Sequence, residues 1–131
     1  MNMVKKLSLW VLIVGYLAAG INHFRNPSSY IKIIPAYIPY PVIVNILSGL
    51  LEIVLALLLI SPKTRHYAAW GIILLLVAFL PVHIDMLIKA PMQLGSLTVT
   101  PLLAWLRLAL QPVLMLWAWW YTKPYPASKS N

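Results

Sequence analysis

Apolar residues fall in four long runs, about 7–22, 42–60, 67–88 and 102–121, each near the roughly 20 residues that a helix needs to cross a bilayer core. Short polar or proline-containing connections separate them. The pattern predicts an all-α fold, an integral membrane four-helix bundle in one domain over residues 1–131, with a proline-rich interfacial loop between the first and second helices. The first run also resembles a secretory signal, since Lys5 and Lys6 precede it and small residues close it. Its length and its glycine-bearing face favour a retained span.

The informative positions are the polar ones inside the runs, because each is costly in hydrocarbon unless it is paired or faces a wet cavity. In the second span Asn45, Ser48, Gly49 and Glu52 are spaced i, i+3, i+4 and i+7, which places them on one helix face. That face is expected to point inward. Glu52 follows Pro41 by 11 residues, about 16 Å of helix, and so lies near mid-membrane. Arg107 follows Pro101 by six residues, about 9 Å into the fourth span from the same side. An ion pair between Glu52 and Arg107 is therefore expected, with Gln111, one turn beyond Arg107, bonding to Asn45 or Ser48.

In the first span Gly15 and Ala19 form a small-x-x-x-small face that predicts close helix approach and continues to His23 at the outer mouth. In the third, Pro81 is expected to kink the helix just before His83 and Asp85. Residues two apart on a helix point about 200° apart, so these two cannot share a metal ion, and no metal centre is expected. His83 should face the bundle and Asp85 should pair with Lys89 at i+4.

The connection "NHFRNPSSYIKIIPAYIPYP" carries prolines that interrupt helix and tyrosines suited to the headgroup region. Between Pro27 and Pro35 there is room for about two helical turns. The segment reads either as a membrane-hugging linker or as a lid that brings His23 and Tyr30 over a pocket.

Charge adds topology. The net charge of +8 would suggest nucleic acid in a soluble domain, but here the cations cluster at span ends and no nucleic-acid partner is expected. Lys5, Lys6, Lys63, Arg65, Lys123 and Lys129 fall on one side of a four-span chain, and Arg25, Lys32 and Lys89 on the other, six against three. The excess of cations on the cytoplasmic side of membrane proteins then places both termini in the cytoplasm of a cell-membrane protein. Trp105, Trp117, Trp119, Trp120 and Tyr121 read as interfacial anchors of the last span, Pro112 as a bend in it, and "TKPYPASKSN" as a short disordered end. The absence of cysteine excludes disulfides and thiol redox chemistry within the chain.

From about Gly15 to Gln93 the sequence resembles the DoxX-like membrane proteins. The resemblance is carried by His23-Phe24 and the nearby Pro27 after the first span, the proline-rich loop, Gly49-x-x-Glu52 in the second span, Arg65 before the third and Pro81 late in it. It implies a four-helix membrane bundle. Relatives of that kind include small subunits linked to quinone-reducing or terminal oxidase systems and members tied to redox homeostasis.

Neither an activated nucleophile nor a glycine-rich phosphate loop is present, so a stand-alone enzyme is not expected. Two functional classes follow. In the first, a redox-linked accessory subunit binds a quinone or similar amphipathic molecule in an outer-half pocket, with His23, Tyr30, Asn45, Ser48, Glu52, His83, Arg107 and Gln111 as the candidate lining. In the second, a non-catalytic assembly or chaperone-like bundle engages another membrane protein, or a second copy of itself, through its helix faces.

Overall fold

The computed structural model describes residues 1–124 and 126. Helix α1 spans Met3–Arg25, α2 Pro27–Ile33, α3 Pro41–Ile60, α4 Arg65–Ala78, α5 Leu80–Lys89 and α6 Pro101–Trp119. Four spans are long and apolar enough to cross a membrane: α1, α3, the α4–α5 unit over Arg65–Lys89, and α6. The protein is therefore an all-α, multi-pass membrane bundle. Most of its large apolar side chains point outward, Leu50, Leu74 and Leu116 among them, as a lipid-facing surface requires.

The spans form a ring in which α1 packs on α3, α3 on α4, and α4 and α5 on α6. Two hydrogen bonds close the ring between α1 and the end of α6: Trp117 Nε1 donates to Ser8 Oγ at 2.7 Å, and the Tyr121 hydroxyl to the Lys5 carbonyl at 2.9 Å. Trp117 and Tyr121 thus tie helices together, whereas Trp105, Trp119 and Trp120 stay exposed as interfacial anchors do. Arg65 also has a second task. Its guanidinium donates to the carbonyls of Leu59 and Ile60 at 2.9 and 3.1 Å, satisfying the open C-terminal end of α3.

Packing differs from the expected small-residue face. A Cβ on Gly15 would meet nothing within 4 Å, so Gly15 does not mediate the helix contact. The close approach lies one face away. A Cβ on Gly20 would stand 2.8 Å from the Gly49 carbonyl, and one on Gly49 would stand 3.0 Å from the Gly20 carbonyl. Only two glycines allow the backbones of α1 and α3 to meet there.

Two apolar clusters flank this crossing. At the end near the chain's N terminus, Leu12, Leu59, Ile72 and Ala118 pack together with Tyr121. At the other end Met86 and Ala104 pack against Val99 of a β-hairpin. The hairpin pairs β1, Met92–Leu94, with β2, Leu97–Val99, in antiparallel register through Gly95 and Ser96. Gly95 has φ +62, the left-handed conformation that a two-residue hairpin turn needs. The hairpin adds to the expected elements, although a Gly-Ser pair between short apolar runs is its usual signal.

The third span is interrupted as Pro81 predicts. Helix α4 closes at Ala78, and α5 restarts at Leu80 with Pro81 in its first turn. Helix α6 instead runs through Pro112 without ending. The reading of "TKPYPASKSN" as a disordered end falls largely outside the described residues.

Candidate functional site

Side chains in a helix tilt toward its own N terminus. Because α1 and α3 are antiparallel and cross at Gly20 and Gly49, His23 leans toward Glu52 while Glu52 leans back toward His23. Each follows its glycine by three residues. The outcome is a buried dyad, each residue 6 % exposed, with His23 Nε2 3.3 Å from Glu52 Oε2. The contact has ion-pair distance but not hydrogen-bond alignment, and Oε2 has no other partner. The expected Glu52–Arg107 pair does not form, because α6 packs on α4 and α5 while His23 occupies the acid's reach.

Asn45 fixes the proton on His23. Its Nδ2 donates to the His23 carbonyl at 3.0 Å, so its Oδ1, 2.8 Å from His23 Nδ1, must be an acceptor. Nδ1 therefore carries a hydrogen. Nε2 is then the ring nitrogen that faces Glu52 Oε2, at 3.3 Å.

The lid reading of the α1–α3 connection matches the geometry. Helix α2 occupies the stretch expected to be helical and lays the Tyr30 ring on the His23 ring, with centroids 3.8 Å apart and planes at 25°. Asn22, outside the expected set of site residues, holds Tyr30 by donating to its hydroxyl at 2.8 Å, and itself accepts from Asn26 at 2.7 Å.

On the far wall, Gln111 is fully buried. It donates to the Leu76 carbonyl at 2.9 Å, which turns its Oε1 toward Arg107 Nη1 at 2.8 Å. Gln111 thus positions Arg107 and does not join Asn45 or Ser48 as expected. Ser48 bonds back to the Val44 carbonyl of its own helix at 2.7 Å. His83 is 8 % exposed, and its Nδ1 has no partner. Asp85 pairs with Lys89 at 2.8 Å, as its spacing predicts.

These groups enclose one chamber of about 390 Å³, lined by His23, Tyr30, Asn45, Ser48, Glu52, His83 and Arg107 and completed by apolar side chains such as Leu51, Phe79 and Val82. Of the candidates, Gln111 alone stands behind the wall. A smaller cavity of about 220 Å³ adjoins it at Glu52, Phe79 and Arg107. A larger one, about 550 Å³, adjoins it at Tyr30, His83 and Arg107 and extends beneath the hairpin between Leu94, Leu97, Leu106 and Leu110. Arg107 borders all three cavities.

Fold and site together define a multi-pass helical membrane protein with a chamber between its spans, apolar in most of its lining, on which several polar side chains converge. Residues 12–122 match the family described as a domain of unknown function, DUF8561, and the chain belongs to that family. Neither the curated proteins nor the solved structures contain a match to it.

Proposed function

We propose that this protein binds an amphipathic molecule of the quinone class, or one similar to it, and serves as a redox-linked accessory subunit of the cell membrane. The observation that carries the proposal is the convergence of polar side chains from α1, α2, α3, α5 and α6 on one chamber with apolar walls. Sites for small ligands have this composition, a mainly apolar lining with a few placed polar groups, and volumes of about 300–1,000 Å³. Arg107 and His83 suit the oxygens of a head group, and the apolar cavity beneath the hairpin suits a hydrocarbon tail. The resemblance to DoxX-like proteins, some of which accompany quinone-reducing systems, points the same way. The alternative of an assembly or chaperone-like bundle draws on the apolar outer helix faces, which contact with lipid explains equally well.

A decyl-tailed benzoquinone tests the proposal. At saturation it is expected to slow amide hydrogen exchange in residues 24–40, because a ligand held under α2 opposes local opening of that helix. Unchanged exchange there would remove the quinone-class ligand from the proposal.

The orientation proposed with it places both termini in the cytoplasm, from the cation excess at Lys5, Lys6, Lys63, Arg65, Lys123 and Lys129 in the sequence. The chain has no cysteine, so single labels are clean. A membrane-impermeant thiol reagent applied to intact cells should modify Ser96→Cys, at the hairpin turn, and spare Ser61→Cys, between α3 and α4. The reverse pattern would invert the orientation.

A further inference from the structure

The charge balance of the chamber says what kind of head group it takes. The chain has only two acidic side chains. Asp85 is committed to Lys89 at 2.8 Å. Glu52 is committed to His23 at 3.3 Å. Arg107 therefore has no carboxylate side chain within ion-pair distance, and among the described residues its one hydrogen-bond acceptor is the neutral Gln111 Oε1. A guanidinium stays protonated in proteins and carries five N–H donors. Held part-buried at the meeting point of three cavities, it leaves most of those donors without an acceptor and its charge without a carboxylate side chain in contact. A charge in that position is costly unless a counter-charge joins it.

A second, independent observation lies on the same wall. His83 Nδ1 is buried without a partner, and His83 borders both the main chamber and the cavity beneath the hairpin, as Arg107 does. Granted the amphiphile-binding role proposed above, on which this inference rests, we infer that the occupant is an anionic amphiphile. Its carboxylate accepts paired hydrogen bonds from Arg107 and one from His83 Nδ1, and its single hydrocarbon tail runs beneath the hairpin between Leu94, Leu97, Leu106 and Leu110. A planar carboxylate matches the guanidinium fork, and charge-assisted bonds of this kind are roughly twice as strong as neutral ones. A neutral quinone head accepts from the same donors but leaves the charge of Arg107 standing.

Three probes separate the possibilities: hexadecanoate, hexadecanol and the decyl-tailed benzoquinone, each titrated against the full chain in nanodiscs of zwitterionic lipid at about pH 8, where a carboxyl is ionised. Hexadecanoate is expected to bind at least about tenfold more tightly than either neutral probe. Arg107→Gln should bring the three affinities together, and Arg107→Lys should keep most of the preference for the acid. His83→Leu should weaken hexadecanoate more than hexadecanol. A neutral probe that binds the wild-type protein as tightly as hexadecanoate overturns the anionic assignment while leaving the amphiphile-binding role standing. The same is true of a preference for the acid that survives intact in Arg107→Gln. If none of the three probes binds, the amphiphile-binding role falls, and the anionic assignment with it.

Discussion

Glu52→Leu is expected to destabilise the bundle by about 1–3 kcal/mol, because it strips the buried His23 Nε2 of its only partner. Glu52→Gln should cost less than about 1 kcal/mol. With Nδ1–H fixed by Asn45, the Nε2 of a neutral His23 is an acceptor, and the amide of glutamine can donate to it. His23→Leu should be at least as harmful as Glu52→Leu, since it leaves a buried carboxyl and Asn45 Oδ1 both unpartnered. The double replacement by leucine should lose less than the sum of the two single changes, by about 0.5–3 kcal/mol. Reversible unfolding in mixed micelles measures all four variants. Additive losses would show that the two side chains are not coupled. A Glu52→Gln variant as unstable as Glu52→Leu would show that an amide at position 52 does not satisfy His23 Nε2.

The second large effect is expected where α1 crosses α3. Gly20→Ala should cost about 1–3 kcal/mol, because its new methyl group would stand 2.8 Å from the Gly49 carbonyl and 3.0 Å from the Ile53 amide nitrogen. Both neighbours are backbone and cannot turn aside. Gly15→Ala, on the same helix, meets nothing within 4 Å and should be neutral or stabilising by up to about 1 kcal/mol through helix propensity. Thermal melting of the two variants in one detergent provides the comparison. If Gly20→Ala melts no lower than wild type, the backbones of α1 and α3 do not meet at that point. The consequence also reaches the site, since separating the helices at Gly20 pulls His23 from Asn45 and Glu52.

What could be read from the sequence divides along a physical line. Relations within one helix follow from 3.6 residues per turn, so the inward stripe of Asn45, Ser48 and Glu52, the Asp85–Lys89 pair and the break at Pro81 were all legible. Relations between helices were not. Depth along the membrane normal placed Glu52 and Arg107 at comparable levels, but depth is one coordinate, and the order of the helices around the ring decides which side chains meet. The same gap explains the choice of Gly15 over Gly20, because small residues recur on more than one face of α1. One signal was present but unused: "GINH" and "GLLE" each place a glycine three residues before a titratable group, the spacing expected where two helices cross with their side chains leaning together. The hairpin was hidden for another reason, since three-residue strands are too short to establish an alternating pattern.

The interrupted third span ties the chamber to the thickness of the bilayer. At 25 residues it would reach about 37 Å as one straight helix, against a hydrocarbon core of about 30 Å. A span longer than the core accommodates by tilting or by bending, and here the bend has a fixed place, at Phe79, between α4 and α5. The Leu76 carbonyl that anchors Gln111, and through it Arg107, belongs to the segment before that hinge, whereas His83 belongs to the segment after it. A change of angle at Phe79 would therefore act on the separation of Arg107 and His83, the two groups that border both larger cavities.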